Sequence, residues 1–169
     1  MYRFSKRVVY MKKLILLRHG HSESKSEQGD KERHLSKKGQ QQILSVVKYI
    51  NQNNHDTSTI ILYSPAKRAI ETKNIILENL DIRYPSKPVE NFYSGTMNHV
   101  ISTIYDQDVK IKCILAIGHN PIWSDFASYL SSKELFLKTG EAIFLEKEVE
   151  NWDQLINEKS WNIDKHLSH

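Results

Sequence analysis

Short apolar runs alternate along the chain with longer segments in which apolar residues recur at helical spacing. Three runs, at residues 13–17, 59–63 and 111–117, are apolar almost throughout or rich in β-branched residues. Runs of this length are too short for helices, and continuous apolarity is typical of strands buried on both faces of a sheet. A final strand is predicted over residues 142–147.

Helical patterns follow the strands. Apolar residues four and three apart predict a helix over residues 36–53, and a weaker pattern predicts another over residues 96–106. Between the second and third strands, residues 85–89 form a segment bounded by proline. Trp152 and Trp161 lie in the tail, where they either pack on the edge of the sheet or contact another subunit.

Two of the predicted helices begin with a capping residue that is followed by proline. Ser64 and Pro65 follow the second strand, and Asn120 and Pro121 follow the third. Serine and asparagine are preferred N-caps, and proline is favoured at the first helical position. The pairs therefore predict helix starts directly after two strands.

Strands that alternate with helices indicate an α/β fold with a mainly parallel sheet. Right-handed crossovers place helices on both faces, which predicts a three-layer α/β/α sandwich. The length of 169 residues fits one domain. We assign that domain to residues 11–169 and treat residues 1–10 as an N-terminal extension of uncertain role.

Charged and imidazole side chains stand where the three strands end. Arg18 and His19 follow the first strand, Arg68 lies just after the second, and His119 follows the third. Ligands of open α/β sheets bind beyond the carboxyl ends of the strands, where helix N-termini also favour anions. If the three strands are neighbours, these four side chains form an anion site suited to phosphate.

The chemistry of such a site follows from the residue types. A neutral imidazole at His19 is a competent nucleophile towards phosphorus, and Gly20 lets backbone and substrate approach closely. Arg18 and Arg68 offer forked donors to the phosphoryl oxygens, and His119 adds a donor if it is protonated. The scheme requires neither a metal nor a cofactor, because the cationic side chains supply the positive charge.

Composition excludes several other classes of function. The formal charge is +4, from 24 basic and 20 acidic residues. The basic residues are not clustered in a Lys/Arg block, so the sequence does not suggest a nucleic-acid partner. No apolar run has the length of a membrane span, and the basic N-terminus lacks the apolar core of a signal peptide. The single Cys113 excludes an internal disulfide and fits a reducing cytoplasm.

Three segments resemble a known family. "LILLRHG", "SPAKRAIET" and "AIGHNP" resemble the signature segments of the histidine phosphatase superfamily, also called phosphoglycerate mutase-like. "HLSKKG", "ENFYSGT" and "KTGEAIFLE" are similar to its small SixA-type branch of phosphohistidine phosphatases. The resemblance implies that His19 is the phosphorylated nucleophile and that Arg18, Arg68 and His119 form the phosphate pocket.

Some positions depart from the family pattern or fall outside it. His21 follows the catalytic tripeptide and is either a solvated loop histidine or a residue that touches substrate. Glu90 is either the proton donor to the leaving group or an ordinary surface carboxylate. Asp30, Arg33 and His34 are expected to order the first loop rather than to react.

The expected function is that of a metal-independent phosphatase with a phosphohistidine intermediate on His19. The expected substrate is phosphohistidine on a partner protein, such as a histidine-containing phosphotransfer domain, because the chain lacks the long insertions that cap the site in mutases. An open pocket equally admits a small phosphorylated molecule. A third function, that of a phosphate-binding interaction module without turnover, uses the same arginines.

Overall fold

The computed structural model describes residues 8–54, 56–157 and 160–169. Its strands are β1 (Tyr10–Arg18), β2 (Thr59–Tyr63), β3 (Ser86–Pro88), β4 (Cys113–Gly118), β5 (Ala142–Val149) and β6 (Asn162–Leu167). Its α-helices are α1 (Lys37–Asn53), α2 (Lys67–Asn79), α3 (Asn91–Ser94), α4 (Met97–Tyr105) and α5 (Ile122–Ser131). Single 3₁₀ turns lie at Asp30–Glu32 and Trp152–Gln154.

The strands form one sheet in the order β3-β2-β4-β1-β5-β6. β1, β2, β3 and β4 run parallel, whereas β5 and β6 are antiparallel to their neighbours. The three strands with charged ends are adjacent, since β4 lies between β1 and β2. The prediction of a mainly parallel sheet is therefore confirmed.

Alternate side chains of the sheet pack into two separate hydrophobic cores, one on each face. Leu14 and Leu16 of β1 pack in the core beneath α4 and α5, and Ile15 and Leu17 pack in the core beneath α1 and α2. All four side chains are at most 2% exposed. Both faces of the sheet are thus covered by helices, which confirms the three-layer sandwich and explains the continuous apolar runs.

The first strand begins three residues before its predicted start. Tyr10 pairs with Val149 and Lys12 with Lys147, so the polar start of β1 belongs to the sheet. Lys12 is completely buried despite its charge, which hydropathy alone does not predict. Residue 10 of the expected extension is part of the fold, and residues 1–7 lie outside the described chain.

The predicted cap of α2 is wrong. The helix begins at Lys67 with Ala66 at the cap position, two residues after the expected start. The Ser64 hydroxyl instead contacts His119 and the backbone N–H of Ala66. At the other junction α5 begins at Ile122, one residue later than predicted.

The tail contains a strand that the hydrophobic pattern does not predict. β5 extends to Val149 and is followed by β6. β6 is an edge strand of mostly polar residues, all of them exposed or half-buried. Trp152 and Trp161 are buried, and their rings stack with centroids 6.2 Å apart. They therefore pack within the domain. None of the described helices is long and apolar enough to cross a membrane.

Candidate active site

The three strand ends bring the predicted side chains together. Arg18 is paired with Gly118 across β1 and β4, and Tyr63 with Ile117 across β2 and β4. The rings of His19 and His119 consequently lie with centroids 4.8 Å apart. A cleft of about 510 Å³ opens here, and Arg18, His19, Arg68 and His119 all line it.

Hydrogen bonds fix the ring of His19 in one orientation. Its Nδ1 lies 2.7 Å from the carbonyl oxygen of Gly20, which can only accept, so Nδ1 carries the hydrogen. Nε2 is then unprotonated, and it accepts the Nε–H of Arg68 at 3.2 Å. The nitrogen with the lone pair is therefore the one beside Arg68.

Burial lowers the pKa of His19 to about 3, and the charges of Arg68 and Arg18 act in the same direction. The Gly20 carbonyl offsets only part of this effect. The ring is 5% exposed and neutral at pH 7. A neutral, oriented imidazole meets the requirement for nucleophilic attack on phosphorus.

His119 is the second buried imidazole of the site. Burial lowers its pKa to about 2, with His19 and Arg68 contributing. Its Nε2 lies 2.7 Å from the Ser64 hydroxyl, which also accepts from the Ala66 N–H. Its Nδ1 is buried and has no partner among the described residues.

Arg18 keeps donors for a ligand. Its Nη1 donates to the Leu137 carbonyl at 2.9 Å, and the amide of Asn120 donates to the same oxygen at 2.8 Å. Within the described chain the buried Nε of Arg18 bonds to nothing. A buried donor without a partner is costly in a folded protein. Because Arg18 also lines the cleft, the rest of its guanidinium is placed to bind an anion there.

Arg68 is 5% exposed and links His19 to the first loop. Its Nη1 donates to the backbone carbonyl of Asp30 at 2.7 Å, and its Nη2 contacts the Asp30 carboxylate at 3.1 Å. Partial burial raises the pKa of Asp30, but Arg68, Tyr93 and Arg33 together hold that pKa below its ordinary value. Asp30 is therefore an anion within the cationic cluster.

The contact between Asp30 and Arg68 was not predicted. The expectation that the first loop is ordered by its own polar residues fits Arg33 and His34. Arg33 donates to Ser22 Oγ and to the Glu23 carbonyl, and His34 Nδ1 lies 2.6 Å from Glu71 Oε1. The spacing of Asp30 and Arg33 signals a local ion pair, but it gives no sign of Arg68.

Gly20 is required for a different reason than expected. A Cβ on Gly20 would lie 2.8 Å from the carbonyl oxygen of Gly39, in the first turn of α1. The close approach is thus between the nucleophile loop and a helix, and a contact between Gly20 and substrate stays a prediction.

His21 lines the cleft, whereas Glu90 does not. His21 is exposed, lines the cleft, and its Nδ1 lies 2.8 Å from Ser36 Oγ. The Glu90 side chain is 76% exposed and lies 3.6 Å from Lys31 Nζ, and it does not line the cleft. Asn120 and Thr139 line the cleft as well, although the sequence did not suggest Thr139.

Comparisons with known proteins identify the family. The family model described as the histidine phosphatase superfamily (branch 1) matches residues 14–91. A chloroplastic protein of Arabidopsis thaliana, itself uncharacterised, is 31% identical over 159 residues, which cover 85% of this chain and 70% of that protein. The chain belongs to the histidine phosphatase superfamily.

Solved structures of this superfamily share the fold. A SixA structure from Nakamurella multipartitia has a TM-score of 0.79 at 14% identity and covers 94% of this chain and 96% of its own. SixA bound to tungstate has a TM-score of 0.78 at 14% identity, with 92% and 96% covered. A phosphoglycerate mutase from Plasmodium falciparum has a TM-score of 0.61 at 23% identity, with 92% and 89% covered. Similarity at these identities concerns the architecture.

Proposed function

We propose that this histidine phosphatase superfamily protein is a metal-independent phosphatase that forms a phosphohistidine intermediate on His19. The observation that carries the proposal is the state of Nε2 of His19, which is unprotonated and lies 3.2 Å from the guanidinium of Arg68. Family membership supports a phosphatase, although mutases share the fold.

The reaction proceeds in two displacements. The Nε2 lone pair of His19 forms a bond to phosphorus while the bond to the leaving group breaks, and the leaving group keeps the electron pair and takes a proton from water. A water molecule then attacks phosphorus, the P–N bond breaks, and its electron pair returns to Nε2. Inorganic phosphate is released, the proton lost by the attacking water neutralises the hydroxide left when the leaving group was protonated, and His19 is neutral again.

Charge on the phosphoryl oxygens is stabilised by donors that are already in place. Arg18 and Arg68 present guanidinium N–H groups at the cleft, which the ring of His119 also lines. Such donors stabilise the transition state because they need no reorganisation as charge develops. An approaching phosphoryl group replaces the contact between Arg68 Nε and His19 Nε2, which frees the lone pair.

The proposed substrate is phosphohistidine on a partner protein, such as a histidine-containing phosphotransfer domain. The open cleft of about 510 Å³ admits a protruding side chain, and the SixA structures with this architecture carry the name of phosphohistidine phosphatases. A small phosphate ester is the alternative substrate. The cytoplasmic location expected from Cys113 stays a prediction.

Turnover with and without the nucleophile tests this function. We expect hydrolysis of phosphoimidazole and p-nitrophenyl phosphate in the presence of EDTA, and a loss of at least about a thousandfold in His19→Ala, since the covalent route is removed. His99→Ala is the matched control, because His99 lies on α4 and does not line the cleft. Acid-labile phosphate on the wild-type protein after rapid quenching identifies the intermediate.

Three outcomes distinguish the alternatives. Phosphate binding without turnover identifies an interaction module. Hydrolysis that survives His19→Ala but stops with EDTA identifies another mechanism. A kcat/KM for phosphorylated histidine proteins no higher than that for simple esters identifies a small phosphate ester as the substrate.

A further inference from the structure

Arg68 is shared between the nucleophile and a carboxylate of the protein itself. Its Nε faces His19 Nε2, while Nη1 and Nη2 both reach Asp30, at distances of 2.7 and 3.1 Å. The guanidinium therefore has the reacting nitrogen at one edge and a fixed negative charge at the other. Any phosphoryl group bound by Arg68 shares it with Asp30.

The Asp30 carboxylate is held in place by two further side chains. The hydroxyl of Tyr93 donates to Oδ2 at 3.1 Å, and Arg33 contacts Oδ1 at 2.8 Å. The ring of Tyr93 lies 5.8 Å from the ring of His119. The carboxylate is thus bonded to three side chains, and two of them, Arg33 and Arg68, line the cleft, although Asp30 itself does not.

The first loop also forms a wall of the cleft. His21, Ser22, Glu23 and Arg33 line it, so a leaving group that extends from the phosphoryl group lies beside this loop. Glu23 and Arg33 bring one charge of each sign to the wall, and the Asp30 charge acts from behind Arg33 and Arg68, to which it is bonded. A negative charge on that leaving group is repelled by the carboxylate, and a like-charge contact of this kind selects between ligands. An uncharged leaving group, or one with N–H donors, is not repelled.

We propose that Asp30 is a specificity-determining residue that selects against phosphorylated substrates with a negatively charged leaving group and favours uncharged groups or N–H donors such as imidazole. The proposal rests on the proposed function in one respect, because it takes Arg68 to be a ligand of the phosphoryl group. It does not require that the bound phosphoryl group is turned over.

Two non-hydrolysable ligands test the proposal. Phenylphosphonate and 4-phosphonobenzoate differ by one carboxylate at the far end of the ring, and their dissociation constants are measured by calorimetry at low salt. We expect the wild-type protein to prefer phenylphosphonate by about fivefold or more, and Asp30→Asn to reduce that preference to less than about twofold.

Two control variants separate charge from other effects. Glu32→Gln removes one charge from the same turn, and the Glu32 side chain bonds to no described residue, so the wild-type preference is expected. Tyr93→Phe loses the hydroxyl but retains the Asp30 charge, so this variant also keeps the preference. Thermal unfolding confirms that each variant is folded.

The proposal is overturned if wild type shows no preference, if neither phosphonate binds, or if Asp30→Asn keeps the full wild-type preference. A preference that disappears only in Asp30→Asn supports it, even in a protein that hydrolyses nothing. In that case the proposed phosphatase function fails alone, and Asp30 is the specificity determinant of a binding module.

Discussion

Strand β1 carries a cation near each end, and the two differ in their surroundings. At the amino end, Lys12 is completely buried, its ammonium donates to the carbonyls of Val109 and Ile111, and the ring of Trp152 lies 5.4 Å away. At the carboxyl end, Arg18 bonds to one carbonyl, and its buried Nε has no partner in the described chain.

The difference shows what distinguishes a structural cation from one that binds a ligand. Burial is part of it, because Lys12 is completely buried whereas Arg18 is half-buried. The distinguishing property is the donors that remain: the protein's own carbonyls engage the ammonium of Lys12, whereas Arg18 keeps donors at a cleft. Unused donors beside open space indicate an anion site.

The largest expected effect concerns turnover. Arg18→Met should lower kcat/KM for p-nitrophenyl phosphate about a hundred- to a thousandfold, because a preorganised donor to the phosphoryl oxygens is lost. Lys12→Met should change kcat/KM of the folded protein by less than about twofold, because Lys12 lies at the opposite end of β1. Equal losses in the two variants would contradict the distinction between the two ends.

Acid should lower the free energy of unfolding through the two histidines beside the carboxyl end of β1. The folded protein keeps His19 and His119 neutral, with pKa values of about 3 and about 2, whereas the ordinary value is 6.5. Below pH 6.5 the unfolded chain therefore binds protons that the folded protein does not, and stability falls as the pH falls towards 3. From pH 7 to pH 5 the free energy of unfolding should fall by up to about 2 kcal/mol per ring.

Urea unfolding at the two pH values measures this loss. His19→Gln should show a smaller loss than wild type, since one of the two buried rings is absent. Lys12→Met retains both rings and should keep the wild-type loss. The same acid sensitivity in His19→Gln as in wild type would count against a neutral, buried His19.

At neutral pH the effects on stability should have the opposite order to the effects expected on turnover, with Lys12→Met the more damaging of the two variants. Lys12→Met should lower the free energy of unfolding by about 1–2 kcal/mol, because the carbonyl of Val109 loses its buried donor. Arg18→Met loses one hydrogen bond, to the Leu137 carbonyl. Apart from that bond, it should lower the free energy of unfolding by less than about 0.5 kcal/mol, since the Nε of Arg18 bonds to no described residue. Urea titrations at pH 7 measure both values, and a larger cost for Arg18→Met would be the wrong order.

The smallest expected effect concerns Glu90. Glu90→Gln should change kcat/KM by less than about threefold, because the side chain is 76% exposed and lies beside Lys31 outside the cleft. Steady-state kinetics with p-nitrophenyl phosphate measure the change, with Glu78→Gln as a surface control. A tenfold loss in Glu90→Gln alone would identify Glu90 as the proton donor.

Local sequence signals predicted the fold and the strand ends of the site, but not the start of α2. β2 has the predicted bounds, and α1 starts within one residue of the prediction, because apolar spacing and capping residues act over a few positions. The convergence of Arg18, Arg68 and His119 with His19 followed from a general rule for parallel sheets, which needed only the order of strands and helices.

The remaining features depend on contacts between distant parts of the chain. Arg68 meets Asp30 across 38 residues, and no periodicity encodes the path of the loop between them. Ser64 has the residue type of a cap, but its hydroxyl is taken by His119, 55 residues away. β6 has too few apolar residues to form a pattern, and it is a strand because β5 offers it an edge.

The contact between the backbones of Gly20 and Gly39 has a consequence for anyone who wishes to retarget this enzyme. A Cβ on Gly39 would lie 2.1 Å from the carbonyl oxygen of His21, so neither glycine tolerates replacement without separating the nucleophile loop from α1. Residues 23–28 are mostly exposed, and Glu23 and Ser24 among them line the cleft. Mutant libraries should therefore vary that exposed stretch and keep both glycines constant.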